Sequence, residues 1–176
     1  MSTIQITADM VKALREETDA GIMDCRRALA EAEGDMQKAK GILREKGMAS
    51  AAKKSDRETK QGLVESYIHG GRIGALVEVN CETDFVARTD QFKDLARAVA
   101  MQVAAMNPRF LSAEDANETV RQEEQLSEKQ LKSMSLLSQP YIKDDSLTIE
   151  QLLKETIQKT GENIRIGRFA RFELGK

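Results

Sequence analysis

Two strand-like runs around a pair of glycines limit the possible folds of this chain most strongly. Residues 63–69 and 73–80 are rich in apolar and β-branched side chains, and residues 70–72 between them read Gly-Gly-Arg. Glycine adopts positive φ without steric penalty, so two glycines between such runs predict an antiparallel β-hairpin. The second run has apolar residues on both faces, which predicts a strand that is mostly covered. The face expected in the core carries Ile73, Ala75, Val77 and Val79.

A third strand and two amphipathic helices complete the predicted second half of the chain. Residues 164–174 alternate apolar and polar side chains, the period of a half-exposed strand. Thr89 precedes a run with helical spacing of apolar residues that ends at residues 107–108, and Thr148 precedes another that ends near Gly161. Residues 114–134 are rich in polar side chains and predict an exposed helix or helical hairpin. The fold class is therefore α+β, with about three antiparallel strands backed by helices.

The first part of the chain has a different pattern, which predicts a separate module. Residues 1–47 read as three short helices, broken at residues 19–21 and 33–35, with the third ending before Gly47. Residues 48–61 contain almost no large apolar side chain, as in a linker or an exposed helical extension. We therefore predict a three-helix partner-binding module over 1–47, a linker over 48–61 and an α+β core over 62–176.

Composition excludes several classes of function. The formal charge is only −2, so there is no global basic field to attract nucleic acid. The first residues lack the blocks of a signal peptide, and no apolar run approaches the roughly 20 residues of a membrane span, so a cytoplasmic protein is expected. Cys25 and Cys81 are the two cysteines and lie far apart, which predicts reduced, buried thiols rather than a disulfide or zinc site.

No pattern for catalysis or cofactor binding stands out. His69 is the single histidine and lies at the end of a strand run, where a surface turn residue is expected. Glu78, Glu82 and Asp84 lie close in sequence, but without a histidine partner they read as turn and capping residues rather than a metal or acid–base cluster. The glycine-rich residues 70–74 lack the features of a phosphate loop. We expect no enzyme activity, no metal and no cofactor.

The last strand offers one alternative function, nucleic-acid binding. Arg165, Arg168 and Arg171 interleave with Phe169 and Phe172, which resembles a surface for stacking bases. Strict alternation would place Phe172 on the apolar face and Phe169 with two arginines on the other. The pattern therefore favours an amphipathic strand over a nucleic-acid interface.

Phe85 is the most informative single residue. It follows an apolar strand pattern and stands in an acidic turn, between Asp84 and Arg88, in a chain with five Phe and no Trp. Such a side chain is either the first anchor of the following helix or a projecting contact for a partner. The pattern alone favours the anchor, because isolated apolar residues near helix starts are usually buried.

Several segments together resemble translation elongation factor Ts, the family of guanine-nucleotide exchange factors for elongation factor Tu. Residues 11–18 (VKALREET) and 20–25 (AGIMDC) are similar to its N-terminal module, which is like a ubiquitin-associated domain. Residues 78–88 (EVNCETDFVAR) resemble its most distinctive motif. Residues 139–144 (QPYIKD) and 161–169 (GENIRIGRF) resemble its C-terminal part. The resemblance covers nearly the whole chain.

The resemblance implies specific roles for two groups of residues. A loop entering elongation factor Tu near its Mg²⁺ site would carry Phe85 as the intruding side chain, which reverses the preference for the anchor. The loop would consist of Thr83, Asp84, Phe85 and Val86. The N-terminal module would contact the nucleotide-binding domain of elongation factor Tu through Arg15, Ile22 and Met23, although helix packing is a competing role for Ile22.

Two departures from the family pattern carry expectations of their own. Asp19 stands where the family commonly has glycine, which would alter the turn after the first helix. The chain also resembles the short form of the family, with one copy of the sheet subdomain where longer members have two. This implies a homodimer that pairs two sheets. An RNA-binding module and an adaptor without exchange activity are the rival functions.

Overall fold

The computed structural model describes residues 5–18, 20–116 and 118–176. Asp19 and residues 1–4 of the predicted helical module therefore lie outside the described residues. Within them the chain is a mixture of helices and antiparallel sheet, which confirms the predicted α+β class. The longer helices are α1 (Ala8–Thr18), α2 (Ile22–Glu31), α3 (Met36–Ala52), α5 (Asp90–Met106) and α8 (Ile149–Thr160). The shorter ones are α4 (Asp84–Ala87), α6 (Glu118–Glu123) and α7 (Glu128–Met134).

Helices α1 to α3 share a small core of their own. Asp35 caps α3 by accepting hydrogen bonds from the backbone N–H groups of Gln37 and Lys38. The core includes Cys25, which is a free, buried thiol as predicted. The fully buried side chains at its centre are Leu14, Cys25, Ala28, Leu29 and Ala39. This core is separate from the one beneath the sheet.

Helix α3 continues past the predicted end of the helical module. The prediction that it ends before Gly47 is wrong, because the helix runs to Ala52, and the helical-extension alternative holds for residues 48–52. Its second half packs on α8: Gly47 lies against the side chain of Gln158, and Arg44 Nε lies 3.4 Å from Glu155 Oε1. Ala51 is buried in the sheet core. A continuous helix therefore connects the helical module to the rest of the chain.

The main sheet has three antiparallel strands, in the order β1 (Gln61–His69), β2 (Ile73–Cys81) and β5 (Ile164–Glu173). The predicted hairpin is confirmed, with β1 and β2 paired from Gln61↔Cys81 to His69↔Ile73. Both glycines of the turn have positive φ, and Arg72 N–H donates to the His69 carbonyl at 3.0 Å. Strand β5 pairs with β2 on its other side.

A β-bulge in β5 changes which of its side chains face the core. The pairing with β2 shifts between Glu78 and Val79, so Gly167 has no partner in the register. Before the bulge Ile164 and Ile166 are buried, but after it Phe169 faces the core and Phe172 is exposed. The predicted faces of Phe169 and Phe172 are therefore wrong, because one extra residue inverts the period-two pattern.

Helices cover strand β2 on one face only. Ala75, Val77 and Val79 are buried as predicted, but Leu76 on the opposite face is 46% exposed. The prediction of a mostly covered strand is confirmed, because Leu76 is the one exposed residue among the nine of β2. Every described helix that packs on the sheet nevertheless lies against the same side. The uncovered side, called here the outer face, carries Val64, Ile68, Leu76, Ala170 and Phe172.

Helix α5 provides more of the core beneath the sheet than any other described element. Thr89 caps it by accepting from the Phe92 N–H, and Asn107 ends it in the left-handed conformation with φ 47°. Met106, predicted to be a core residue, is exposed because it lies in the last turn. The other predicted core positions are buried, namely Phe92, Leu95, Ala96, Val99 and Val103.

A second hairpin and its neighbours close the other side of α5. Strands β3 (Pro140–Tyr141) and β4 (Asp144–Thr148) form the hairpin. Gln102 on α5 is fully buried and holds it: its amide nitrogen donates to Gln139 and to the Pro140 carbonyl, and its oxygen accepts from Ile142 N–H. Thr148 then caps α8, as predicted. Residues 114–134 contain the short helices α6 and α7, in the segment where an exposed helix or helical hairpin was predicted.

Candidate functional site

Phe85 projects from a short, capped turn of helix at the end of β2. Thr83 caps α4 by accepting at Oγ1 from Val86 N–H, and Phe85 is the second residue of this helix. Its side chain is 78% exposed, whereas Val86 and Ala87 pack against the sheet core. The interpretation of Phe85 as a buried anchor is therefore wrong, and Phe92 on the next helix is the buried aromatic residue.

The backbone beneath Phe85 is held by contacts distant in sequence. Glu162, just after α8, accepts from Thr83 N–H at 3.0 Å and from Thr83 Oγ1 at 2.6 Å. Cys81 Sγ donates to the Thr83 carbonyl at 3.1 Å. Burial, together with the negative charge of Glu162, raises the pKa of the Cys81 thiol to about 11, so this thiol is neutral at physiological pH. The loop is thus fixed at its base while Phe85 points away from the core.

The neighbouring acidic residues do not converge on one point. Glu82 accepts from Asn163 N–H at 2.6 Å, and Asp84 pairs with Arg88 at 2.8 Å. Glu78 lies on the outer face, where hydrogen bonds from Asn80 and Arg168 lower the pKa of its carboxyl group. Across the residues that the structure describes, no group of three or more His, Cys, Asp or Glu side chains could hold a metal ion.

The three predicted contact residues of the helical module are all exposed. Arg15 and Ile22 line the same groove between α1 and α2, while Met23 lies beside Ile22 but outside that groove. Ile22 is 55% exposed and Met23 62% exposed. The prediction that Ile22 belongs to the buried stripe of α2 is wrong, because it lies in the first turn and no described element covers it.

The basic residues of β5 do not form a continuous base-stacking surface with both phenylalanines. Arg171 Nε donates to the Ala104 carbonyl on α5, and Arg168 pairs with Glu78 at 2.8 Å. Phe169 faces the core and Phe172 faces the opposite way, so the two rings lie on different sides of the sheet.

Two features of the site were not predicted from the sequence. The first is the contact between Glu162 and Thr83, which are 79 positions apart, so no local spacing could indicate it. The second is the apolar outer face, which depends on the bulge at Gly167 and on the absence of a covering helix among the described residues. Segment 161–169 carried a resemblance to a known family, but that did not identify the role of Glu162 within it.

Comparison with known proteins identifies the family. The family model described as "Elongation factor TS" matches residues 5–131 and 126–176, which together span almost all of the chain. The chain belongs to the elongation factor Ts family. This confirms the resemblance found in the sequence and classes the chain with translation elongation factors that act in nucleotide exchange.

Relatives in the family are similar to this chain over nearly the whole of its length. Elongation factor Ts from Synechocystis is 52% identical, over 98% of this chain and 90% of the relative. The protein of the same name from Carboxydothermus hydrogenoformans is 51% identical, over 97% of this chain and 90% of the relative. The one from Gloeothece citriformis is also 51% identical, but 69% of its length is covered.

A search of the described helices for a membrane span finds none that is both long and apolar enough.

Proposed function

We propose that this protein is the guanine-nucleotide exchange factor for elongation factor Tu and that it acts by inserting Phe85 near the Mg²⁺ site. The observation that carries the proposal is the 78% exposure of an aromatic side chain on a capped turn whose base is fixed. An exposed, oriented aromatic residue is a typical hot spot of a protein interface. Membership of the elongation factor Ts family supplies the partner.

Insertion of the loop would weaken the binding of GDP to elongation factor Tu without making or breaking a covalent bond. Phe85 would enter with Thr83, Asp84 and Val86 around it and displace partner groups that hold Mg²⁺ and the β-phosphate. By thermodynamic linkage, the factor then binds nucleotide-free elongation factor Tu more tightly than the GDP-bound form. GTP, which is more abundant in cells, refills the site and releases the factor. No cofactor is needed for this cycle.

The test is release of a fluorescent GDP analogue from elongation factor Tu, followed by stopped flow with and without the protein. The proposal expects fast release that saturates with protein concentration. Tight binding without faster release would instead indicate an adaptor. Absence of both would remove the proposed function, and steep salt-dependent RNA affinity would then favour an RNA-binding role.

The helical module is proposed to provide affinity rather than the displacement itself. Ile22 and Met23 present apolar surface beside the basic Arg15, a combination suited to an amphipathic helix of the partner. In the release assay, Met23→Asp is expected to raise the half-saturating concentration by about tenfold with little change in maximal rate, the effect of about 1.4 kcal/mol at an interface. A fall in maximal rate at unchanged half-saturation would contradict this division of roles.

The outer face of the sheet is proposed to pair with the same face of a second copy. Its large apolar side chains on β1 and at the end of β5 are more than half exposed. A soluble monomer rarely leaves such an apolar patch uncovered. At the other end of the outer face, Glu78 and Arg168 carry opposite charges. A two-fold interface brings the same surface of both copies together, so these charges can face their opposites in the second copy. The large apolar members are Val64, Ile68, Leu76 and Phe172, and the exposed Leu174 follows directly after β5.

Light scattering tests the pairing. The native protein is expected at twice its chain mass of 19.6 kDa, and Phe172→Asp at the chain mass, because a charge buried without a partner opposes association. Ile142→Asp is the matched control, since Ile142 is also an exposed apolar residue but lies on the β3–β4 hairpin, away from the outer face. A native monomer that still accelerates nucleotide release would refute the homodimer.

A further inference from the structure

Glu162 is held against the base of the Phe85 loop by two hydrogen bonds to a single residue. Its two carboxylate oxygens accept separately from the backbone N–H and the hydroxyl of Thr83, at 3.0 and 2.6 Å. Glu162 is half-buried at the start of the segment between α8 and β5, in a sequence position unrelated to the loop. A bidentate contact of this kind restrains both the position and the rotation of the Thr83 side chain.

The orientation of the Thr83 hydroxyl determines whether it can cap α4. Because its proton is donated to Glu162, a lone pair of Oγ1 is available for the Val86 N–H, which donates to it at 3.4 Å. Helix α4 has four residues, and an isolated helix of that length does not persist in water. Its conformation therefore depends on the cap and on the packing of Val86 and Ala87 against the core.

A parallel contact ties the same two segments together one residue away. Glu82 accepts from the backbone N–H of Asn163 at 2.6 Å, and the Asn163 amide in turn donates to the Arg57 carbonyl at 2.8 Å. Glu82, beside the Phe85 loop, thus binds the segment after α8, and Glu162, in that segment, binds the loop. If one contact is lost, the other keeps the segments adjacent, so the loop can lose its orientation without loss of the fold.

We infer that Glu162 is a positioning residue for nucleotide exchange, which holds Thr83 so that α4 forms and Phe85 projects in one direction before the partner arrives. The inference rests on the proposed exchange function. Without the tether, Phe85 would occupy its working orientation for only a fraction of the time, and the maximal rate of release would fall to that fraction of the native rate. Affinity, which the rest of the interface supplies, changes less.

Two measurements test the inference, and one of them does not involve the partner. In the isolated protein, Glu162→Ala is expected to speed amide hydrogen exchange at residues 83–88 at least about tenfold, with exchange in α5 unchanged. In the release assay the same variant is expected to lower the maximal rate about tenfold at nearly unchanged half-saturation. Glu150→Gln, which removes a carboxylate from a surface pair with Lys154 on α8, is the control and should match the native protein in both.

Double variants show whether Glu162 acts through the loop. The Thr83→Val and Glu162→Ala changes together are expected to lower the rate no more than Thr83→Val alone, and Glu162→Ala is expected to have no further effect when Phe85 is already alanine. Additive losses, or unchanged hydrogen exchange at 83–88, would overturn the inference. If the native protein fails to release GDP, the proposed function fails, while the hydrogen-exchange result still tests the tether by itself.

Discussion

Replacing Phe85 by alanine is expected to slow protein-stimulated GDP release from elongation factor Tu by about thirtyfold, the effect of a hot-spot side chain worth about 2 kcal/mol. The side chain is 78% exposed in the free protein, so its loss removes almost no contact from the fold. The melting temperature should therefore stay within a degree or two of the native value. The measurement is maximal release rate by stopped flow, with thermal unfolding of each variant alongside.

A matched truncation separates this role from a general loss of apolar surface. Met106 is also exposed, at 47%, and lies at the end of α5 outside the loop. Met106→Ala should leave the release rate at the native value. Native rates in the Phe85→Ala variant would show that the loop does not displace the nucleotide, even if the protein remains an exchange factor. The release rate with Phe85→Leu should fall between those of the native protein and Phe85→Ala, because leucine keeps apolar bulk without the ring.

Replacing Gly62 by alanine adds a single methyl group and is expected to lower the free energy of unfolding by about 3–5 kcal/mol, a large effect for so small a change. Gly62 has a φ of 146°, which side chains rarely adopt, and it pairs with Asn80 in the hairpin. A Cβ there would overlap the Val79 carbonyl oxygen and lie 2.8 Å from the Asn80 Cα. Backbone atoms of a central strand cannot move aside without breaking the ladder.

Gly70→Ala is the control for this prediction. Gly70 also has positive φ, at 56°, but nothing lies within 4 Å of a Cβ built on it. Alanine in that conformation costs about 1 kcal/mol from backbone strain alone. Chemical denaturation at one protein concentration compares the two variants. Equal losses in the free energy of unfolding of the two variants would mean that strain in φ, rather than the close approach of β2, explains the glycine at position 62.

Local signals predicted the helices of the second half well. Helix α5 begins after Thr89 and ends at Asn107, and α8 begins after Thr148 and ends at Gly161. Each of these residues satisfies backbone groups within a few residues of itself. Such contacts depend on neighbours in sequence, so spacing reveals them. The prediction failed at Gly47, where glycine was interpreted as a helix end but instead allows α3 to approach Gln158 on α8. That need for a small residue comes from another element, 111 positions away in the chain.

The candidate site was predictable only as a set of residues. Segment 78–88 and its family resemblance identified the loop, but the preference of the pattern for a buried Phe85 was wrong. Burial depends on what lies opposite a side chain, and periodicity alone does not contain that information. The roles of Arg15, Ile22 and Met23 in binding remain predictions, while their exposure is a property of the fold.

The sequence by itself determined the fold class, the hairpin at residues 70–72 and the family, because these follow from local backbone preferences and from motif identity. Tertiary structure alone decided which side chains of β5 lie on the open face of the sheet, since the unpaired Gly167 inverts the faces of β5 partway along the strand. It also decided that Glu162 meets Thr83. Both results depend on packing between segments far apart in the chain, where one residue of register changes which side chains meet.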